Sequence, residues 1–255
     1  MNFPNFQLHK MKILGIIPSR YASTRFPGKP LAKINGKSMV QRVYEQASKA
    51  RSLTKVIIAT DDQRIFDHVK KWGGEVKMTS VSHPSGTDRC NEVLQQEKQE
   101  YDVIVNIQGD EPFIDPSQIE DVTESFVNKE TQISSLAKKI TSFEELFNSN
   151  TVKVVIGENK KALYFSRAVI PFLRGVEDEN YLSHGDFYKH IGIYAFRTQI
   201  LKEICNLPQA KLEKAESLEQ LRWLSAGFQI SMGITTLEGL SVDTPEDLLQ
   251  LTNKV

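Results

Sequence analysis

Cysteine is scarce: Cys90 and Cys205 are the only two in 255 residues. Two thiols so far apart supply neither a disulfide framework nor a metal-ligand cluster, and both are expected to be buried thiols of a reduced, cytoplasmic protein. Charge of either sign is not in excess, since 32 Lys+Arg balance 32 Asp+Glu and the formal net charge is zero. A nucleic-acid binder draws its affinity from surplus basic charge, so that class is disfavoured and any phosphate ligand should be small and held locally. No apolar run approaches the ~18–20 residues of a membrane span, and no membrane partner is expected. The opening MNFPNFQLHK has neither the basic nor the apolar region of a secretory signal. Strand patterning begins only at Lys12, so residues 1–10 are expected to be an extension, with Met11 an alternative start and 11–255 a single domain.

What is present is an alternation of short apolar runs with helical patterns, the signature of a parallel sheet wrapped by helices. Strands are expected at 12–18 (KILGIIP), 55–60 (KVIIAT), 75–80 (EVKMTS) and 101–108 (YDVIVNIQ). Helices are expected from Ser38, from Gln63 to the Gly73-Gly74 stop, through Cys90–Leu94, and from Pro116 after Asp115 as cap. Beyond about 133 the pattern turns strand-rich (ISSLAKKI, KVVIG, ALYFSR, YKHIGIYAFR), implying a smaller embedded lobe at about 133–200. The polar stretch 174–186 reads as a mobile loop. One long helix is expected at about 211–226, and a last one from Thr244.

Ligands of open parallel sheets bind beyond the carboxyl ends of the strands. The loop after the first strand, SRYASTRFPGKP, carries Arg20, Arg25 and Lys29, donors suited to phosphate and carboxylate oxygens. Gly28 permits close backbone approach there, and three prolines stiffen the loop. A solvated basic loop is the plain alternative. Gly36-Lys37-Ser38 imitates the tail of a P-loop, but the required earlier glycine falls at Leu31, so Ser38 is better read as a helix cap. No G-x-G-x-x-G follows the first strand, which removes a dinucleotide reading.

Asp110, in QGDEP at the end of a buried strand, is placed to hold a hard cation against a polyphosphate, or simply sits in a tight turn. Asp243, before Thr244-Pro245-Glu246, reads equally as a helix start. His190 lies in an alternating strand, where a lone histidine is ordinarily just packed. Glu213, Glu216, Glu219 and Gln220, at helical spacing, read by themselves as a solvated face.

Taken together, PSRYASTRFPGKPL, SGTDR, NIQGDEP, YFSRA, HIGIY, LEQLR and VDTPEDL resemble, in order and over about Lys12 to Leu249, the CMP-Kdo synthetases, the 3-deoxy-manno-octulosonate cytidylyltransferases. Ser19 stands where many members have alanine. The resemblance implies a Rossmann-like nucleotidyltransferase fold, an α/β mixed and mostly parallel sheet flanked by helices, with a smaller lobe that mediates homodimerisation. It implies CTP and Kdo as substrates, CMP-Kdo and pyrophosphate as products, Mg²⁺ as cofactor, and a place in lipopolysaccharide synthesis in the cytoplasm.

By the same resemblance Arg20, Ser23 and Lys29 bind the triphosphate, and Ser85, Thr87 and Arg89 face the nucleoside. Asp110 and Asp243 hold Mg²⁺, and these two with Arg20 and Lys29 form the catalytic set. Arg25, Gln108, Arg167, His190, Tyr194, Glu216, Glu219 and Gln220 face the sugar acid. No general base stands out, so a hydroxyl acidified by the metal is the economical expectation. A cytidylyltransferase for a related sugar acid, such as an amino-Kdo, and a non-catalytic nucleotide-binding protein are the competing readings. The second expects Asp110 or Asp243 to be lost, and both are present.

Overall fold

The apolar run after Lys12 forms β1 (Ile13–Pro18), and its neighbours follow from the same alternation of buried side chains. The computed structural model describes residues 11–22 and 26–252; the expectations for residues 1–10, Ser23 and Arg25 fall outside the described residues. A short hairpin, β2 (Lys33–Ile34) and β3 (Lys37–Ser38), leads into α1 (Met39–Ala47). Ser38 Oγ accepts the N–H of Gln41 at 3.3 Å, so this serine caps a helix. Then come β4 (Lys55–Thr60), α2 (Gln63–Lys71), β5 (Val76–Met78), α3 (Gly86–Gln96), β6 (Val103–Asn106) and α4 (Pro116–Glu124). Asp115 and Gln118 make a capping box at the start of α4, with Pro116 inside the first turn.

The second half holds β7 (Ile133–Lys139), α5 (Phe143–Phe147), β8 (Lys153–Ile156), β9 (Ala162–Ser166), α6 (Tyr181–His184) and β10 (Tyr188–Arg197). It closes with α7 (Thr198–Ile204), α8 (Lys211–Glu216), α9 (Gln220–Ser225), β11 (Ile230–Ile234) and α10 (Pro245–Thr252).

The main sheet runs β11-β7-β10-β6-β1-β4-β5, with β8 and β9 continuing from β10. Along that path only β10 opposes the others: it is antiparallel to β6 and β7, whereas β6, β1, β4 and β5 are parallel, as are β11 and β7. The sheet is therefore mixed and mostly parallel, and the 133–200 segment contributes β7 and β10 to its middle. Alternate residues of each strand face opposite layers. Leu14, Ile16, Ile57 and Ile104 pack against Cys90 and Val93 of α3, Leu201 of α7 and Trp223 of α9. Ile13, Ile17, Ile58 and Val105 pack against Val43 of α1, Val69 of α2 and Val122 of α4.

Two expectations change. The helix expected at 211–226 is broken into α8 and α9, because Ser217 takes a left-handed conformation (φ 52°). A β-carbon resists that region, so the break is held by tertiary contacts rather than by a helix-breaking residue. The stretch 174–186 is folded over a buried Tyr181, whose ring stacks on Phe187 with centroids 5.7 Å apart. Cys90 and Cys205 are both free, the first buried and the second partly so.

Candidate active site

The carboxyl ends of β1, β4 and β6 lie side by side, so the loops that follow them share one edge of the sheet. Ser19 N–H donates to the Ala59 carbonyl at 2.8 Å, pinning the start of the first loop to β4. The loop after β6 passes so close that a β-carbon on Gly109 would lie 2.5 Å from the Pro18 carbonyl oxygen. Only glycine fits there, and it sets Asp110 directly across from the first loop.

Gly28, at φ 73°, turns that loop back so that Lys29 points inward. The Lys29 ammonium donates to Asp110 Oδ2 at 2.8 Å and to the Val242 carbonyl at 2.9 Å, and lies 3.5 Å from Asp243 Oδ1. Three distant segments thus meet at one cation. The motif around Asp243 does form a helix start. The helix start is capped reciprocally by Thr244 and Asp247: Thr244 Oγ1 accepts from Asp247 N at 3.2 Å, and Asp247 Oδ2 accepts from the Asp243 and Thr244 N–H groups at 2.9 Å each. Capping is done by its neighbours, and the Asp243 carboxylate turns to Lys29.

Glu111, which sequence reasoning did not single out, is buried beside this centre. Burial, with the Asp110 charge adding to it, pushes its carboxyl up to about 7. The 235–243 segment closes over it, for a β-carbon at Gly239 would come within 2.8 Å of Glu111 Oε2.

Asp110 in the loop after β6 and Asp243 at the start of α10, with no group of three or more carboxylates, histidines or cysteines placed to cage a metal among the described residues, suit a cation shared with a ligand's phosphates. The donor set fits Mg²⁺, which is commonly held by one or two carboxylates plus phosphate oxygens and water.

Ser85 caps α3, accepting Asp88 N–H at 3.1 Å and donating to Asp88 Oδ2 at 2.6 Å. Thr87 Oγ1 donates to Glu219 Oε2 at 2.9 Å, joining the first turn of α3 to the start of α9. Arg89 reaches the site only from behind. Its side chain is fully buried, with its guanidinium on Asp61 Oδ2 at 2.8 Å and on Thr79 Oγ1. Arg20 approaches the same Asp61 oxygen from the open side, Nε at 3.7 Å.

The remaining candidates gather around β10. Gln108 Nε2 donates to the Gly192 carbonyl at 2.7 Å. His190 Nε2 lies 2.9 Å from Ser135 Oγ, under the edge of Phe165, and burial pushes its pKa down to about 3. Its ring is neutral at physiological pH. Among the described residues the buried Tyr194 hydroxyl has no hydrogen-bond partner, and burial first, then the Glu219 charge, pushes its pKa well up. Burial raises the Glu219 carboxyl as well.

The solvated-face reading of the 211–226 glutamates does not hold. Glu216 accepts from Ser166 Oγ at 2.6 Å and from Arg167 N–H at 2.9 Å, and its own carbonyl accepts from Arg167 Nε at 2.8 Å. Glu213 pairs in the interior with both arms of Arg222. Gln220 is buried at the first turn of α9. Lys153, also missed, is buried under the Arg167 loop, donating to the carbonyls of Asn148, Thr151 and Arg167. Its signal was a lysine at the head of an apolar strand, which must find oxygen partners if it is buried.

A cytidylyltransferase family model matches residues 14–232. A 3-deoxy-manno-octulosonate cytidylyltransferase of Parabacteroides distasonis is 56% identical over 242 residues, covering 93% of this chain and 96% of its own. One from Leptospira interrogans is 47% identical over 238 residues, covering 93% of each chain. Among solved structures, a CMP:2-keto-3-deoxy-manno-octonic acid synthetase complexed with CTP is 39% identical, with a TM-score of 0.89 over 95% of this chain and 98% of that one. A 4-diphosphocytidyl-2C-methyl-D-erythritol synthase from Anaerococcus prevotii, 12% identical with a TM-score of 0.61 over 96% and 98%, shares the fold alone. By family model, sequence and fold alike, the chain belongs to the 3-deoxy-manno-octulosonate cytidylyltransferase family.

Proposed function

We propose that the chain transfers CMP from CTP to the anomeric hydroxyl of Kdo, releasing pyrophosphate and activating Kdo for lipopolysaccharide synthesis in the cytoplasm. The observation that carries this is the meeting of Lys29, Asp110 and Asp243 at the carboxyl edge of the sheet, in a chain of this family. Arg20 and Lys29 hold the triphosphate. Ser85 and Thr87 face the nucleoside, and Arg89 supports them from the interior. When bound by Asp110 and Asp243, Mg²⁺ neutralises phosphate charge.

The hydroxyl attacks the α-phosphorus in line with the departing pyrophosphate, a transfer that depends on positioning and charge stabilisation rather than on a covalent intermediate. Neutral His190, the buried Tyr194 hydroxyl and Gln108 meet the hydroxyls of the sugar acid. Glu216, Glu219 and Gln220 shape that subsite, with Arg167 or Arg25 against its carboxylate. The bond between Thr87 and Glu219 gives the nucleoside loop and the acid subsite a common wall.

The test is pyrophosphate release with CTP, UTP, ATP and GTP, each crossed with a panel of sugar acids. CTP with Kdo is the expected productive pair, with UTP much weaker. Equal rates with all four nucleotides would sink the cytidine assignment, and a faster non-Kdo acid would sink the acceptor assignment.

The protein is further proposed to act as a homodimer through the 133–200 lobe. Exposed aromatic rings support this: Phe143 and Phe147 stack with centroids 4.4 Å apart, and Phe172 is 77% exposed nearby, 6.5 Å from Tyr181. Sedimentation at micromolar concentration should give twice the 28.9 kDa chain mass; a monomer contradicts the proposal.

A further inference from the structure

Asp61 follows β4 as Asp110 follows β6, yet it points not at Lys29 but between two arginines. One of its oxygens, Oδ2, lies 2.8 Å from Arg89 NH2 and 3.7 Å from Arg20 Nε. The two cations differ in freedom. The Arg89 side chain is fully buried, and its other arm donates to Thr79 Oγ1. Thr79 is fixed in turn, its N–H and hydroxyl both donating to the Thr60 carbonyl, at 2.8 and 3.1 Å. Arg20, by contrast, keeps 45% of its side chain exposed in the first loop.

A guanidinium carries five N–H donors in a rigid plane. A carboxylate on the Nε side leaves the terminal nitrogens for another acceptor. Two positive charges on one negative leave the group cationic, so a phosphate meets an attractive field rather than a neutral pair. An exposed ion pair contributes little to stability, so orientation is the better account of the Arg20 contact. Such aiming requires that the carboxylate itself cannot drift, and buried Arg89 and Thr79 supply that restraint.

We propose that Asp61 is a positioning residue that aims Arg20 at the triphosphate, held in place from the interior by Arg89 and Thr79. The proposal rests on the reading of Arg20 as a triphosphate ligand.

The experiment is a double-mutant cycle on CTP affinity, measured by titration calorimetry of the full chain at fixed Mg²⁺, with Asp61→Asn, Arg20→Ala and the pair. Each single substitution is expected to weaken CTP about tenfold, the effect of one lost charge-assisted partner. The pair is expected to bind no more weakly than Arg20→Ala alone, because Asp61 then has nothing to aim. Asp61→Asn leaves Arg89 buried without its counter-ion and can cost the fold, so Asp61→Asn with Arg89→Met, which removes both charges, runs alongside. Its loss beyond that of Arg89→Met alone should likewise vanish in the Arg20→Ala background. Losses that simply add, or no loss from Asp61→Asn, overturn the positioning role. Unchanged affinity in Arg20→Ala overturns the reading of Arg20 instead, and the proposal with it.

Discussion

Asp110→Ala and Asp243→Ala each lower turnover by about 10²–10³-fold, the loss expected when one group that stabilises transition-state charge is removed. The melting temperature stays near that of the parent protein. Both halves of this expectation come from the same geometry. The two carboxylates contact Lys29 from separate segments, and the Asp110 side chain is 29% exposed and that of Asp243 41%. Water can therefore solvate Lys29 when either carboxylate is deleted, and such partly exposed pairs contribute little to stability. The backbone contact between the segments, Val242 N–H to the Asp110 carbonyl at 2.9 Å, does not involve either side chain. Turnover and melting curves measured side by side decide the matter. Near-parental turnover at ordinary Mg²⁺ for either variant removes that residue from the proposed metal set.

Lys29→Ala raises the apparent KM for CTP about tenfold to a hundredfold, whereas Arg25→Ala raises chiefly that for the sugar acid. Removing a charge-assisted partner costs about 1.5–3 kcal/mol, which corresponds to that range of affinity. Gly28 folds Lys29 inward onto the acidic centre, where the phosphates of a nucleotide are proposed to lie. Arg25, outside the described residues, is assigned to the acid because a bent, proline-stiffened loop can send neighbouring side chains to opposite sides. KM values for both substrates in both variants separate the roles. A loss confined to CTP in Arg25→Ala makes the loop a plain phosphate cradle.

The parallel strands were legible because burial on both faces writes them as unbroken apolar runs, as in KVIIAT at 55–60. Ser38 and Asp115 were legible as caps because their chemistry is local. The break at Ser217 was not, since KLEKAESLEQLR keeps helical spacing and nothing in it forbids a continuous helix. What turns the chain is distant: Glu216 is committed to Ser166 and Arg167, 50 and 49 residues away. Arg89 shows the same limit. The motif marks it as part of the nucleoside loop, but its complete burial depends on Asp61 and Thr79, which lie in other elements. Asp61 itself carried a usable signal, a carboxylate just past a buried strand, the same feature that marked Asp110. The lysines 153 and 189, buried in strands of the second half, carried one too.

Lys29 bonds to Asp110, 81 residues along the chain, and to the Val242 carbonyl, 213 residues along. Contacts of such separation form only after the intervening chain has been ordered, because the entropy of closing so long a loop must first be offset. On the ribosome, the strands of the nucleotide half emerge long before Asp243 does. A partly synthesised chain thus has the first loop and β6 but not the second carboxylate of the proposed reaction centre. With Asp243 in the proposed metal set, competence for turnover would arrive only with the final stretch of synthesis.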